Sequence, residues 1–250
     1  MRKILLTMLF ISACAGVAAA QGAGDYHKVE FYGGYSHASV QPNSGTQTVT
    51  EGGQSFTFEP CTPDGAAILG PDFQRNICDR RGFNGFDASV AFNFSRYLGG
   101  VGNVTGHFKT ETFVDHFTDS GGHTDTNRVT DRVWQFLGGV QVKDNRAEGR
   151  RFKPFAHALV GVAHQTSHDV QTSTGGANFT LDDNPTSFAM KLGGGLDVRL
   201  NSRVDLRMIE FDYNPIFARD RDVSGNADFT LHVAGRRSNT YTFGVGLAFH

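Results

Sequence analysis

Beyond residue 20 the chain has no run approaching the ~20 consecutive apolar residues of a membrane-spanning helix, so any crossing of a bilayer must be made by strands. An excess of positive charge is missing too. Lys and Arg number 23 against 25 Asp and Glu, and the formal net charge moves from −2 to −4 once Arg2 and Lys3 are removed. No basic stripe exists, which excludes nucleic acid as a partner. Proline (7) and tryptophan (1) are scarce while glycine (31) and phenylalanine (22) are abundant, a balance suited to many strands joined by turns. Cysteine is limited to Cys14, Cys61 and Cys78. The last two bracket a loop-like segment, and no His/Cys cluster stands near them to complete a zinc-type site. They are therefore read as a structural disulfide, and no metal or cofactor is expected.

The beginning of the chain is a basic pair, Arg2-Lys3, an apolar run from Ile4 to Val17 and the small residues Ala18-Ala19-Ala20. That series is typical of a secretory signal peptide, here cut after Ala20, which leaves residues 21–250 as one domain. The competing reading, a lipoprotein signal at Ile11-Ser12-Ala13-Cys14, would make Cys14 a lipidation site but leaves a very short apolar region. Either route takes the chain out of the cytoplasm.

Eight strands can be marked, over residues 29–40, 84–96, 101–117, 129–143, 152–165, 186–200, 203–215 and 239–250. Short connections follow the second, fourth and sixth, the tightest being Asn201-Ser202. Long polar ones follow the others. Transmembrane barrels with both termini in the periplasm show this order of short turns and long external loops. Side-chain parity agrees: in the second strand Phe86, Ala88, Val90, Phe92 and Phe94 oppose Asp87, Ser89, Ala91, Asn93 and Ser95. A water-soluble lipocalin-like barrel would show the same alternation with its faces exchanged.

The closing segment NTYTFGVGLAFH sets Tyr241, Phe243, Val245, Leu247 and Phe249 against Thr242, Gly244, Gly246, Ala248 and His250. Within it Thr242, Gly244, Leu247 and Phe249 match the C-terminal assembly signal of outer-membrane proteins: a polar residue, glycine two later, then two apolar residues spaced by one. With VEFYGGYSHASV, GFNGFDASVAFNFSRYLG and KPFAHALVGVAH, the chain resembles the OmpA/OmpX-like eight-stranded barrels of the porin-family or outer-membrane β-barrel group. That resemblance implies an all-β, antiparallel, up-and-down transmembrane barrel, monomeric in the bacterial outer membrane. Its partners would be outer-membrane lipids, the barrel-assembly machinery and an extracellular ligand held by the loops. Two departures are visible. His250 follows Phe249 where the signal usually ends in Phe, and no peptidoglycan-binding domain follows the barrel, which removes a wall-anchoring role.

An eight-stranded barrel is just wide enough for its own side chains, so charges on the inner face must pair. The inward set is Glu30, Asp87, His107, Lys109, Lys191, Asp197, Arg199, Glu210 and Asp212. A two-residue turn at Asn201-Ser202 predicts Lys191 opposite Asp212, and keeping apolar residues together outside predicts Asp87 opposite Lys109. With His107 and Glu210 at a similar level, these four would form a charge network plugging the lumen. Arg207 falls on the lipid-facing parity, which calls for snorkelling or a bulge. Trp134 and Tyr26, Tyr32, Tyr97, Tyr213 and Tyr241 are expected in interfacial girdles. Histidines 116, 123, 164, 168 and 232 read as solvated, and no Ser-His-carboxylate triad is apparent near Ser238. The expected function is non-enzymatic: a structural or surface-interaction role through loops 41–81, 118–128, 168–185 and 216–237. A small porin-like channel and a lipid-modifying enzyme are the alternatives, with a periplasmic lipocalin-like carrier last.

Overall fold

The structure, a computed structural model, describes residues 25–41, 45–117, 122–147, 150–174, 178–224 and 229–250; the expected signal peptide and Cys14 lie outside them. Alternating segments become eight long strands: β1 (Val29–Val40), β4 (Arg81–Asn93), β5 (Leu98–Phe117), β6 (His123–Lys143), β7 (Phe152–Ser173), β9 (Thr186–Arg199), β10 (Val204–Phe217) and β13 (Arg237–Phe249). Each pairs antiparallel with its neighbours in the chain, and β13 pairs with β1, from Phe31 opposite Phe249 to Val40 opposite Thr240. The sheet therefore closes into an up-and-down barrel. Closure satisfies every strand edge, which a bilayer demands because lipid offers no hydrogen bonds.

Facing decides between a soluble and a transmembrane barrel. Phe136, Val140, Val160, Phe243 and Val245 are 44–50% exposed, while the side chains of Lys143 and Lys191 are 0% exposed. Apolar groups outside and ammonium groups inside is the inverse of a water-soluble fold, and it excludes the lipocalin-like reading. One inner wall carries a small apolar cluster including Val133, Leu137, Leu159 and Ile216; the other inner positions are largely polar.

Loop segments proved more ordered than their composition suggested. β5, β6 and β7 run for 20, 21 and 22 residues, well past the ~9 to 11 that cross a bilayer, so their outer ends stand above it. β8 (Phe179–Asp183) folds back on β7 between Ser167 and Gln171, making a hairpin of what was expected to be loop 168–185. The first and last long connections meet in a second sheet, ordered β11 (Arg221–Ser224), β12 (Phe229–Val233), β2 (Gln47–Glu51) and β3 (Gln54–Phe58). Two short helices follow β3: α1 (Pro63–Leu69), capped where the Gly65 N–H donates to Thr62 Oγ1 at 3.2 Å, and α2 (Pro71–Cys78). The Asp115 carboxylate of β5 accepts the first N–H groups of α2, from Asp72 at 2.7 Å and Phe73 at 3.0 Å, and the Cys61–Cys78 disulfide closes the helical segment.

Candidate functional site

The lumen holds a ladder of ion pairs. At its periplasmic end, Lys153 Nζ donates to Asp205 Oδ2 at 2.8 Å and His250 Nε2 meets the same oxygen at 2.9 Å, with the His27 ring stacked on His250 at 4.2 Å. Above them Lys143 Nζ bridges Glu30 and Asp197, each at 2.5 Å. Arg207 joins Asp197 at 2.9 Å, Glu210 at 3.0 Å and Glu30 at 3.5 Å. The next rung sets Lys191 on Asp87 at 2.5 Å and on Asp212 at 3.6 Å, and His157 Nε2 on Asp212 at 2.8 Å. Asn103 supplies a further donor to Asp87 at 2.6 Å. A carboxylate can only accept, so both imidazoles must present an N–H. Six carboxylates thus face four cations, and two of the carboxylates, Asp205 and Asp212, also take a histidine.

Asp87, Lys191, Glu210 and Asp212 meet as a network, but through different partners than the register predicts. The β9–β10 connection is a wider turn in which Asn201 Oδ1 accepts from Arg203 and Val204, and a bulge between Arg207 and Ile209 shifts the pairing again. Asp212 therefore lies opposite Gly193, and Lys191 reaches it diagonally. The same bulge turns both Met208 and Ile209 to lipid and rotates Arg207 inward, to 2% exposure, where Tyr32 and Phe155 sandwich its guanidinium at 4.0 Å each. Tyr32 is thus a luminal residue rather than part of a girdle. Its ring fills space left by glycines: a Cβ on Gly246 would come within 2.8 Å of Tyr32 Cε2.

Lys109 does not join the network. The β4–β5 turn, where Ser95 Oγ accepts the N–H groups of Tyr97 and Leu98, places Asp87 opposite Thr105. Lys109 accordingly stands higher on the inner face, near the outer rim, paired to Glu111 at 2.8 Å. His107 is buried one rung above Asp87 and meets Ser36 Oγ at 3.0 Å. Lys143, Lys153, His157, Asp205 and His250 were not anticipated as site residues. Their parity was the available signal: Lys143 shares a face with Gln135 and Gln141, which are also buried.

Above the ladder, Arg81 binds Asp131 at 2.7 Å and Glu111 at 2.9 Å, and Arg221 binds Asp183 at 2.6 Å, around an outer-mouth cavity of about 190 Å³. His157, Glu210 and Asp212 offer ligand atoms within 4.8 Å of one another, the one such grouping among the described residues. Lys191 and Arg207 already neutralise its carboxylates, so the set does not fit a divalent cation. Ser238 Oγ donates to the Gln41 carbonyl rather than to a histidine.

No protein-family model matches the chain, and no curated protein is significantly similar to it. Solved structures do match. Ail, the attachment invasion locus protein of Yersinia pestis, is 12% identical over 89% of this chain and 100% of that one, with a TM-score of 0.39. The outer membrane protein OprG from Pseudomonas aeruginosa is 11% identical over 91% and 98%, with a TM-score of 0.42. The outer membrane protease OmpT from Escherichia coli is 7% identical over 92% and 99%, with a TM-score of 0.50. Identities this low speak for the fold alone. With its closed ring, outward apolar face and charged interior, the chain is an eight-stranded antiparallel β-barrel of the bacterial outer-membrane kind.

Proposed function

We propose that this barrel is a non-enzymatic surface-interaction protein that works through its external sheet. The observation that carries the reading is the joining of β2–β3 and β11–β12, from opposite ends of the sequence, into one four-stranded platform outside the ring. Barrel closure does not need it. Arg221 ties the platform to Asp183 at the end of β8, and β3 is an edge strand whose Gln54, Ser55, Phe56 and Thr57 are exposed. An ordered edge with free backbone groups and an outward phenylalanine suits the capture of another protein's extended segment. The paired lumen has no role in that function beyond holding the ring rigid.

The test is whole-cell binding to a panel of immobilised extracellular proteins and glycans. Cells carrying the chain with residues 47–58 replaced by a flexible Gly-Ser hairpin should lose binding while the barrel still shows heat-modifiable migration. Equal binding by both cell types would sink the proposal.

A further inference from the structure

The outer wall of β5, β6 and β7 changes character abruptly. Along the outward row of β6, Val142, Val140, Phe136 and Trp134 are apolar, and the next outward residues are Arg132, Thr130 and Arg128. Strand register extends the change sideways. Trp134 packs edge-on against Phe86 and Phe108 at 5.7 and 5.5 Å, Arg132 lies between Phe108 and Thr166, and Thr130 between Thr110 and His168. Aromatic side chains mark the level of the membrane interface, so the arginines stand where lipid headgroups begin.

Both guanidiniums are exposed, and neither has an ion pair or side-chain hydrogen bond among the described residues, whereas Arg81, Arg96, Arg207 and Arg221 all hold carboxylates. They border a groove of about 390 Å³ with Thr130, Thr166, His168 and Val170. The nearby Asp182 is engaged by His168 Nδ1 at 2.6 Å. A strand advances ~3.3 Å per residue, which sets the two arginines ~13 Å apart with hydroxyls between them. That arrangement fits a headgroup carrying more than one phosphate.

We propose that Arg128 and Arg132, with Thr130 and Thr166, bind the phosphates of an outer-leaflet glycolipid whose acyl chains lie against the apolar wall below. The site lies on the barrel wall and is independent of the external sheet.

The full chain, refolded into phosphatidylcholine vesicles doped with a bis-phosphorylated glycolipid or with the same glycolipid stripped of phosphate, tests this by the glycolipid retained per barrel after extraction. The wild type should retain the phosphorylated form roughly thirtyfold better. R128A/R132A should lose that preference, R128K/R132K should keep part of it, and added salt should weaken it. Equal retention of the two glycolipids by the wild type, or an unchanged preference in R128A/R132A, would overturn the proposal. Displacement by millimolar inorganic phosphate would also overturn it, because free phosphate would then be the ligand. Should the alanine variant fail to refold, the wild-type comparison and the lysine variant still decide. The chain with residues 47–58 replaced should retain the preference, which separates this site from the surface-interaction reading.

Discussion

Lysine 191 shows what a buried charge requires. Its ammonium group has no access to water and is held by Asp87 and Asp212, so Lys191→Met would leave Asp87 buried with no cation and Asp212 with His157 alone. Such a loss costs roughly 3 to 5 kcal/mol, and it should appear as a lowered urea midpoint in lipid or detergent, partly recovered in Lys191→Met/Asp87→Asn. His27 makes the opposite demand. Burial, reinforced by the nearby charges of His250 and Lys153, lowers its pKa from 6.5 to about 4, so the folded state prefers the neutral ring. Between those values the unfolded chain binds a proton that the folded chain refuses, and stability should fall as pH drops through that window. His27→Gln should flatten this dependence in a pH series of thermal midpoints; slopes equal to the wild type would show that His27 carries none of it. Parity was enough to mark Asp87, Lys191, Glu210 and Asp212 as inward residues. Their partners were not readable, because a pair depends on turn length and on one inserted residue on another strand.

The bulge at Met208 is the clearest case at the scale of the element. A period-two reading carried through β10 puts Arg207 in lipid, yet one extra outward residue returns it to the lumen between Asp197 and Glu210. Deleting Met208 removes the extra residue and leaves Arg207 and Glu210 both inward on a strictly alternating strand, so the heat-modifiable folded band should persist; loss of that band would show that the bulge itself is needed for the barrel. Above the membrane the helical segment depends on a covalent link. The Cys61–Cys78 bridge spans 17 residues, so reduction, or Cys61→Ser/Cys78→Ser, should cost that segment about 3 kcal/mol. Proteolysis should then cut near α1 and α2 and leave the barrel band intact. The upper ends of β6 and β7 and the external sheet escaped the sequence reading, whereas the outer end of β5 at Phe117 was marked. The external strands do alternate, as in Phe229-Thr230-Leu231-His232-Val233, but at four or five residues each they are too short to separate from a polar loop.

For the molecule as a whole, the inverted distribution of apolar and charged groups sets what the barrel can conduct. Rungs of paired side chains from Asp205 to Asp87, with Arg81 and its two carboxylates at the outer mouth, fill the lumen. Planar-bilayer recordings should show no steady large-conductance openings; such openings would require the ladder to part. Alternation, loop order and the closing Tyr241-to-Phe249 strand were sufficient for an eight-stranded barrel, because those signals are local: each follows from strand geometry and from what lipid tolerates. His250, the residue that fits the closing motif least well, found its explanation only in the folded barrel, where it is buried beside Asp205 and His27. The charge pairs, the inward turn of Arg207 and Tyr32, the platform joining 47–58 to 221–233 and the arginine-lined groove all depend on register and closure. Each brings together residues on different strands, and no spacing along the chain encodes those distances.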